Sequence, residues 1–433
     1  MQYLKTAAAD HLEQAAAPTE TVRAMLAEIR AGGEDRVRQY AQQLDGWHGE
    51  IVLTREQLDA AAKRVSQRLK DDIRYAHDNI VSFARGQLDS CRDFEVAVRP
   101  GLIAGQRLIP MDAAGCYVPG GRYSHIASAI MTVTTAKTAG VRHVSACSPT
   151  RTGGIPDEIL YTLDYCGADR ILALGGVQGI AALADGLFGT PAADILVGPG
   201  NQYVAEAKRL LFGNIGIDMV AGPTDSMILA DADADPEFVA CDLVGQAEHG
   251  HNSPVWLATD SEALARQVLA LVEDHIARLP QPNRDNARAA WDQFAEVILC
   301  KDREEMAACA DMKAPEHLHV QAADPDWWLG RLRSYGSLFL GAETTVAFGD
   351  KASGPNHVLP TSGAARYTGG LSVLKFLKMV TWQKANTTAL RDLAPVTARI
   401  SRHEGMEGHA RTADIRLAKY FPGEAFDLGI GGD

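Results

Sequence analysis

The stretch 141–201, VRHVSACSPTRTGGIPDEILYTLDYCGADRILALGGVQGIAALADGLFGTPAADILVGPGN, decides the fold. An apolar run at 141–147 leads into a helical pattern at 155–166. A second run at 170–174 meets Gly175-Gly176, and a second helical pattern follows at 178–187. A third run, 195–197, stops at Gly198-Pro199-Gly200-Asn201. Short apolar runs alternating with helical segments are the pattern of βαβ units, with parallel strands and helices on the sheet faces. Upstream, 126–139 reads as a helix of small residues ending at Gly140. Downstream, the alternation repeats after Thr224: strand 226–230, helix 236–248, strand 254–259, helix 262–278, and short strands at 298–301, 319–322 and 337–340. Two α/β blocks are therefore expected, roughly 105–224 and 225–365. The region 20–90 reads as helices, with Thr54-Arg55-Glu56-Gln57 an N-terminal capping signature. These helices are expected to pack on the second block. The expected domains are 1–115 with 225–365, an intervening 116–224, and a charged helical tail, 366–433.

Bulk composition narrows the function. The chain of 433 residues is too long for one core. Its net charge of -13 argues against general nucleic-acid binding, which needs a basic face. Seven scattered cysteines contain no CxxC pair, so neither a disulfide framework nor a cysteine-rich zinc site is signalled. The start, Met1-Gln2-Tyr3-Leu4-Lys5-Thr6, has no apolar signal core, and no apolar run nears the roughly 18 residues of a membrane span. The cytoplasm is the expected compartment, with neither nucleic acid nor membrane as partner.

Four polar clusters far apart in the chain point to chemistry. They are Gly245-Gln246-Ala247-Glu248-His249-Gly250, Pro315-Glu316-His317-Leu318, the segment 349–357 (GDKASGPNH), and the segment 404–409 (EGMEGH). Gln246, His249, Asp350 and His409 make a mixed oxygen and nitrogen set that suits a divalent ion such as zinc. Three residues apart, Gln246 and His249 share one face if they lie on a helix. The adjacent Glu316-His317 supplies what proton abstraction and water activation need. No GxGxxG opens a βαβ unit. Glycine-rich turns do occur at 115–121, 175–179 and 198–201, where strand ends in α/β sheets line a ligand crevice.

The segments YVPGG, GGVQGIAALADG, GPGNQYVAEAKR, AGPTDS, GQAEHG, PEHL and GDKASGPNHVLPTSG, in that order over nearly the whole chain, resemble the zinc- and NAD-dependent histidinol dehydrogenase family. The resemblance implies two incomplete Rossmann-like domains, a helical N-terminal segment, and a C-terminal helical tail exchanged in a homodimer. It implies oxidation of a primary alcohol through an aldehyde to a carboxylate, with two NAD and no covalent thioester. It makes Gln246, His249, Asp350 and His409 the ligands of one zinc per subunit, His409 coming from the neighbouring subunit. His317 then accepts the alcohol proton and Glu316 activates water. Tyr117, Gln178 and Asn201 match NAD contacts. Thr224, His357 and Glu404 match substrate contacts, alongside Gln246, His249, His317, Asp350 and His409.

Departures from the family pattern add cations: Arg122 in Arg122-Tyr123-Ser124-His125, Lys375, Arg402 and Arg411. Guanidinium groups grip oxyanions in bidentate fashion, so an anionic alcohol is expected as substrate, with Arg122 and Arg411 nearest the site motifs. The tail 411–422 and the Lys375/Trp382 segment look like the sulfopropanediol 3-dehydrogenase branch of the family, whose members convert 2,3-dihydroxypropane-1-sulfonate to 3-sulfolactate. Two alternatives stand beside this reading: oxidation of histidinol itself, and a zinc-binding scaffold without catalysis. Cys116 and Cys147 are expected to be packing rather than nucleophiles.

Overall fold

The computed structural model of the chain describes residues 1–8, 18–120, 125–150, 153–220 and 222–429. They form two compact units, Met1–Leu88 with Pro110–Phe376, and Asp89–Ile109 with Leu377–Asp433. The strands, in chain order, are β1 (Gln2–Lys5), β2 (Phe94–Arg99), β3 (Leu102–Pro110), β4 (Ala113–Tyr117), β5 (His143–Ser148), β6 (Arg170–Ala173), β7 (Ile195–Val197), β8 (Gly216–Ile217), β9 (Ser226–Ala230), β10 (Val255–Thr259), β11 (Glu296–Leu299), β12 (His317–Gln321), β13 (Ser337–Leu340) and β14 (Leu377–Ala385).

In the first unit, β4 to β8 form a parallel sheet in the order β6-β5-β4-β7-β8. Strands β9 to β13 form a second parallel array, β11-β10-β9-β12-β13, and β1 adds to it antiparallel at the β11 edge. Both arrays run third-second-first-fourth-fifth, with the direction of winding reversing beside the first strand. The expected α/β class with parallel sheets is what the chain adopts. Strands in such sheets are covered on both faces, and β9, β10 and β12 are buried along their whole length.

Helix Gln67–Asp89 meets the later block as expected, Asn79 Nδ2 donating to Ala352 O at 2.9 Å, but the first helix does not pack there. Helix Thr19–Asp45 buries Val22, Met25, Ile29, Val37, Tyr40 and Ala41 against helix Gly176–Asp185, beside the five-stranded sheet rather than the later block. The reason lies in helix Gly176–Asp185, where every residue from Val177 to Ala184 is buried. A helix apolar all round needs cover on its outer side as well as its sheet side, and the stripe of Thr19–Asp45 supplies it. The segment Gln2–Lys5, which carried no strand signal, joins the six-stranded sheet instead.

Two other expectations change. The 126–139 helix is π-wound at Ile130–Thr134 between short α segments. There the Met131 carbonyl accepts from Thr135 Oγ1 at 2.6 Å and from Asn356 Nδ2 at 2.9 Å, drawing it out of the regular ladder. The C-terminal region is not wholly helical: β14 joins β3 and β2 in a three-stranded sheet of the second unit. Helices Thr387–His403 and Glu407–Tyr420 then pair through Ala394, Ala398, Ala410, Ala413 and Leu417. No described helix is long and apolar enough to cross a membrane.

One buried ion pair shapes the loop after β7. Gly198 has φ +113°, and a Cβ there would lie 2.0 Å from the Tyr117 carbonyl oxygen. Lys208 Nζ donates to Gly198 O at 2.9 Å, and Asp218 Oδ2 accepts from Gly198 N at 2.7 Å. Lys208 and Asp218 also pair with each other, at 3% and 0% side-chain exposure. Breaking a buried pair strands the remaining charge. Lys208→Met should therefore lower the unfolding free energy by about 3–5 kcal/mol in urea titrations, and Lys208→Met with Asp218→Leu by clearly less. A single variant as stable as the parent would contradict this account.

Candidate active site

Three of the four polar clusters, those around Gln246, Glu316 and Asp350, meet at the N-terminal ends of the strands of the six-stranded sheet. Strands β9 and β12 pair in parallel from Ser226 opposite His317, so Asp225 and Glu316 face each other one step before the ladder. The helix that follows a strand in a parallel array runs back along it, so the last turn of Pro236–Ala247 returns Gln246 to this edge. The helix ends at Ala247, two residues short of His249. Instead the terminal turn holds it, the His249 N–H donating to Gln246 O at 3.3 Å. Helix Val346–Lys351 delivers Asp350. It seats against β13 because residue 349 is glycine: a Cβ there would stand 2.6 Å from the Phe339 ring.

Asp350 lies between two imidazoles. His317 Nε2 is 3.4 Å from its Oδ1, and His249 Nε2 is 3.7 Å from its Oδ2. On the other side of the ring, His317 Nδ1 is 3.8 Å from Glu316 Oε2. Glu316, His317, Gln246 and Asp350 are all buried. Burial pushes the Glu316 carboxyl up, to about 8. Burial pulls His317 down, but the Glu316 and Asp350 carboxylates outweigh it and leave it raised, at about 9. Burial also acts to raise Asp350, yet the charged His317 ring beside it holds it below the usual carboxylate range. Titratable groups pushed apart in this way, side by side in a buried cluster, are the signature of acid–base work.

His357 faces Asp350 O with Nδ1 at 2.9 Å and Ser128 Oγ with Nε2 at 3.2 Å, tying the β9–β13 block to the helix at Ile126–Ala129. Thr224 sits half-buried beside Asp225 at the same edge. Gln246 Oε1 and both ring nitrogens of His317 are buried with no hydrogen-bond partner. Buried polar atoms are rarely left so, and three in one cluster mark a place for a ligand. Gln246, His249 and Asp350 together offer a neutral oxygen, a ring nitrogen and an anionic oxygen, donors that fit a borderline divalent ion. Among the described residues no three His, Cys, Asp or Glu side chains converge closely enough to enclose an ion, so this set is a partial shell.

The winding of the five-stranded sheet reverses between β4 and β7. Ligands of such sheets bind at that point. The Tyr117 hydroxyl accepts from Gly176 N at 3.2 Å, and Gln178 Nε2 donates to Asp45 Oδ2 at 2.8 Å. Asn201 Oδ1 caps helix Gln202–Leu211 through Tyr203 N and Val204 N, at 3.0 and 3.1 Å. Gln178 Oε1 is buried without a partner.

The sequence model of the histidinol dehydrogenase family matches residues 9–417. The chain belongs to the histidinol dehydrogenase family. Sulfopropanediol 3-dehydrogenase of Ruegeria pomeroyi is 61% identical over 433 residues, all of both chains. A histidinol dehydrogenase homolog of the same organism is 68% identical over 404 residues, 93% of each chain. The crystal structure of histidinol dehydrogenase from Elizabethkingia anophelis superposes with a TM-score of 0.89 at 31% identity, covering 94% of both chains.

In this member of the histidinol dehydrogenase family, three of the expected site residues belong to the second unit. Glu404 ends helix Thr387–His403, His409 lies in the first turn of Glu407–Tyr420, and both are exposed. Arg411, 76% exposed, pairs with Glu407 at 3.4 Å. Arg402 pairs with Glu407 at 3.1 Å and Asp414 at 2.5 Å. Arg122 lies outside the described residues. Lys375, on the turn Val373–Phe376 of the first unit, has no ion pair among the described residues, and its segment is joined to the His357 loop by Leu371 N donating to Val358 O at 2.8 Å. Three residues escaped the sequence reading: Asp225, Ser128 and Asp45. Asp225 stood inside AGPTDS, but only strand pairing shows what its carboxylate meets.

Cys116 and Cys147 are fully buried, and burial pushes both thiols up, Cys116 to about 12. Iodoacetamide on the native protein should label exposed Cys241 first and spare both until denaturant is added, as read by peptide mass spectrometry. Early labelling of Cys116 would reopen the thiol as a nucleophile.

Proposed function

We propose that this chain is a zinc-dependent, NAD-linked dehydrogenase that oxidises a primary alcohol through its aldehyde to the carboxylate, with 2,3-dihydroxypropane-1-sulfonate as substrate and 3-sulfolactate as product. The observation that carries the chemistry is the buried Glu316-His317 pair beside Asp350, with partnerless Gln246 Oε1 and His317 nitrogens around it. The relative at 61% identity over the full length, named for the sulfonated diol, supports the substrate. Histidinol remains the second reading, favoured by the fold shared with a histidinol dehydrogenase. The acid–base pair argues against a scaffold that merely binds zinc.

Gln246, His249 and Asp350 would hold the zinc, with His409 of a second copy completing the shell, and Tyr117, Gln178 and Asn201 would lie along NAD in the Rossmann-like half; when bound, the ion supplies Lewis-acid polarisation and the nucleotide accepts hydride. His317 takes the alcohol proton at a ring nitrogen, its charged form favoured by the carboxylates on either side. Glu316, kept protonatable by burial, then draws a proton from the water that hydrates the aldehyde. Thr224, His357 and Glu404 orient the substrate. Among the cations, Lys375 is the best anchor for the sulfonate, because Arg402 and Arg411 already hold carboxylates of their own unit.

A homodimer fits the second unit's surface. Phe94, Val96 and Val98 of β2 are exposed, as are Leu393, Val396 and Ile400 along one stripe of helix Thr387–His403. Exposed apolar stripes of this kind on a strand and on a helix suit burial against a second copy. An enzyme working on a metabolite with two NAD suits the cytoplasm.

Chelation should abolish NAD reduction and zinc should restore it, while His249→Ala should hold far less than one zinc per subunit by metal analysis. Normal zinc content in that variant would remove this site. Mixed dimers of His249→Ala and His409→Ala chains should regain part of the activity, and no recovery would place His409 in its own subunit's site. Glu316→Gln should slow aldehyde oxidation more than alcohol oxidation, within the roughly 10²–10⁴-fold range of general acid–base catalysis; the opposite order would reverse the two roles. The parent should prefer the sulfonated diol to histidinol, and Lys375→Met should reduce kcat/KM for the sulfonate by roughly tenfold to a hundredfold, the worth of a charge-assisted hydrogen bond. Efficient histidinol turnover with no response to the sulfonate would overturn the substrate.

A further inference from the structure

We propose that Asp225 is a positioning residue for this reaction: its carboxylate clasps the backbone of Glu316 and of Ser362 and thereby sets where the Glu316-His317 pair stands in the cleft. The inference rests on the acid–base reading above and deepens it.

Asp225 precedes the first ladder position of β9, and Glu316 precedes that of β12. Ordinary strand pairing would leave Glu316 at the end of a loop. Instead each residue grips the other. Glu316 N donates to Asp225 Oδ1 at 2.7 Å, and Asp225 N donates to Glu316 Oε2 at 3.3 Å. His317 N donates to Asp225 O at 3.3 Å, and Ser362 N donates to Asp225 Oδ2 at 2.9 Å. The opposite flank of Glu316 is closed too. Ser337 N donates to Glu316 O at 2.9 Å, and a Cβ on Gly336 would stand 2.5 Å from that oxygen.

The chemistry of the clasp calls for a carboxylate in particular. Both Asp225 oxygens face backbone N–H donors, and Asp225 is itself buried. Asparagine is the same size but has one acceptor oxygen, so its NH2 would be turned toward an N–H with nothing to accept. A residue that merely filled space or closed a turn would have no such requirement. Because the Glu316 carboxyl is held through Oε2 by the Asp225 amide, any shift of the Asp225 backbone moves the group that must meet water. Misplacement of that order is costly to a reaction that depends on alignment.

The test is a double-mutant cycle of Asp225→Asn and Glu316→Gln, with kcat and KM measured for whichever alcohol the parent turns over and for its aldehyde. Asp225→Asn should lower kcat for the aldehyde by about tenfold to a hundredfold while KM moves little. In the Glu316→Gln background the same change should cost less than about threefold, because the group it positions is already disabled. Equal losses in both backgrounds, unchanged kcat, or loss of bound zinc in Asp225→Asn would overturn the proposal. A second arm needs no turnover. Amide hydrogen exchange on the resting protein should find Glu316 and Ser362 protected in the parent and unprotected in Asp225→Asn, with the rest of β12 unchanged and the melting temperature within a few degrees of the parent's. Unaltered protection would overturn the clasp. A parent that reduces no NAD with either alcohol would fail the proposed function instead, and the exchange arm would still decide the clasp.

Discussion

A buried carboxylate cannot stand alone in a protein interior, and Asp350 is where this site begins. Its compensation comes from His317 and His249 on its two oxygens and from the ordered chain around its own carbonyl, which faces His357. Each compensating group has to arrive from a different element. His317 comes on the first residue of a central strand, His249 from the turn after a helix, and Asp350 from a six-residue helix that only a glycine allows to sit close enough. The parallel sheet is what brings three such distant pieces of chain to one edge.

The five-stranded block depends on a comparable economy of charge. The Lys208–Asp218 pair is wholly enclosed, and it holds both the N–H and the carbonyl of Gly198. That loop presses against Tyr117 so closely that no side chain fits at residue 198. The loop after β7 is thus held from two sides, by the Lys208–Asp218 pair and by the Tyr117 backbone.

Family and fold are shared by relatives whose names point to different alcohols. Fold alone does not assign a substrate. The Glu316-His317 pair and the Gln246, His249 and Asp350 set lie at the sheet edge, in positions the architecture imposes. Lys375 lies on the turn Val373–Phe376, and Arg402 and Arg411 belong to the second unit.

The alternation of short apolar runs with helical segments was enough to establish the parallel α/β class, because strand and helix periods are local properties of the chain. The strands at 195–197, 226–230 and 337–340 emerge where the pattern puts them. The clusters around Gln246, Glu316 and Asp350 were legible for a similar reason: polar residues in apolar surroundings stand out. Packing partners were not legible. The stripe on Thr19–Asp45 shows that the helix buries one face, but not which block it buries it against. Only the all-round apolar helix Gly176–Asp185, seen in place with one side uncovered, answers that. The strand Gln2–Lys5 needed an edge to pair with before it could exist. Asp225 is the sharpest case. In the sequence it is one acid in a turn-like segment, and its meaning comes wholly from Glu316, 91 residues away, whose backbone it holds. Long-range pairing is set by the closing of the sheet, and no local pattern records it.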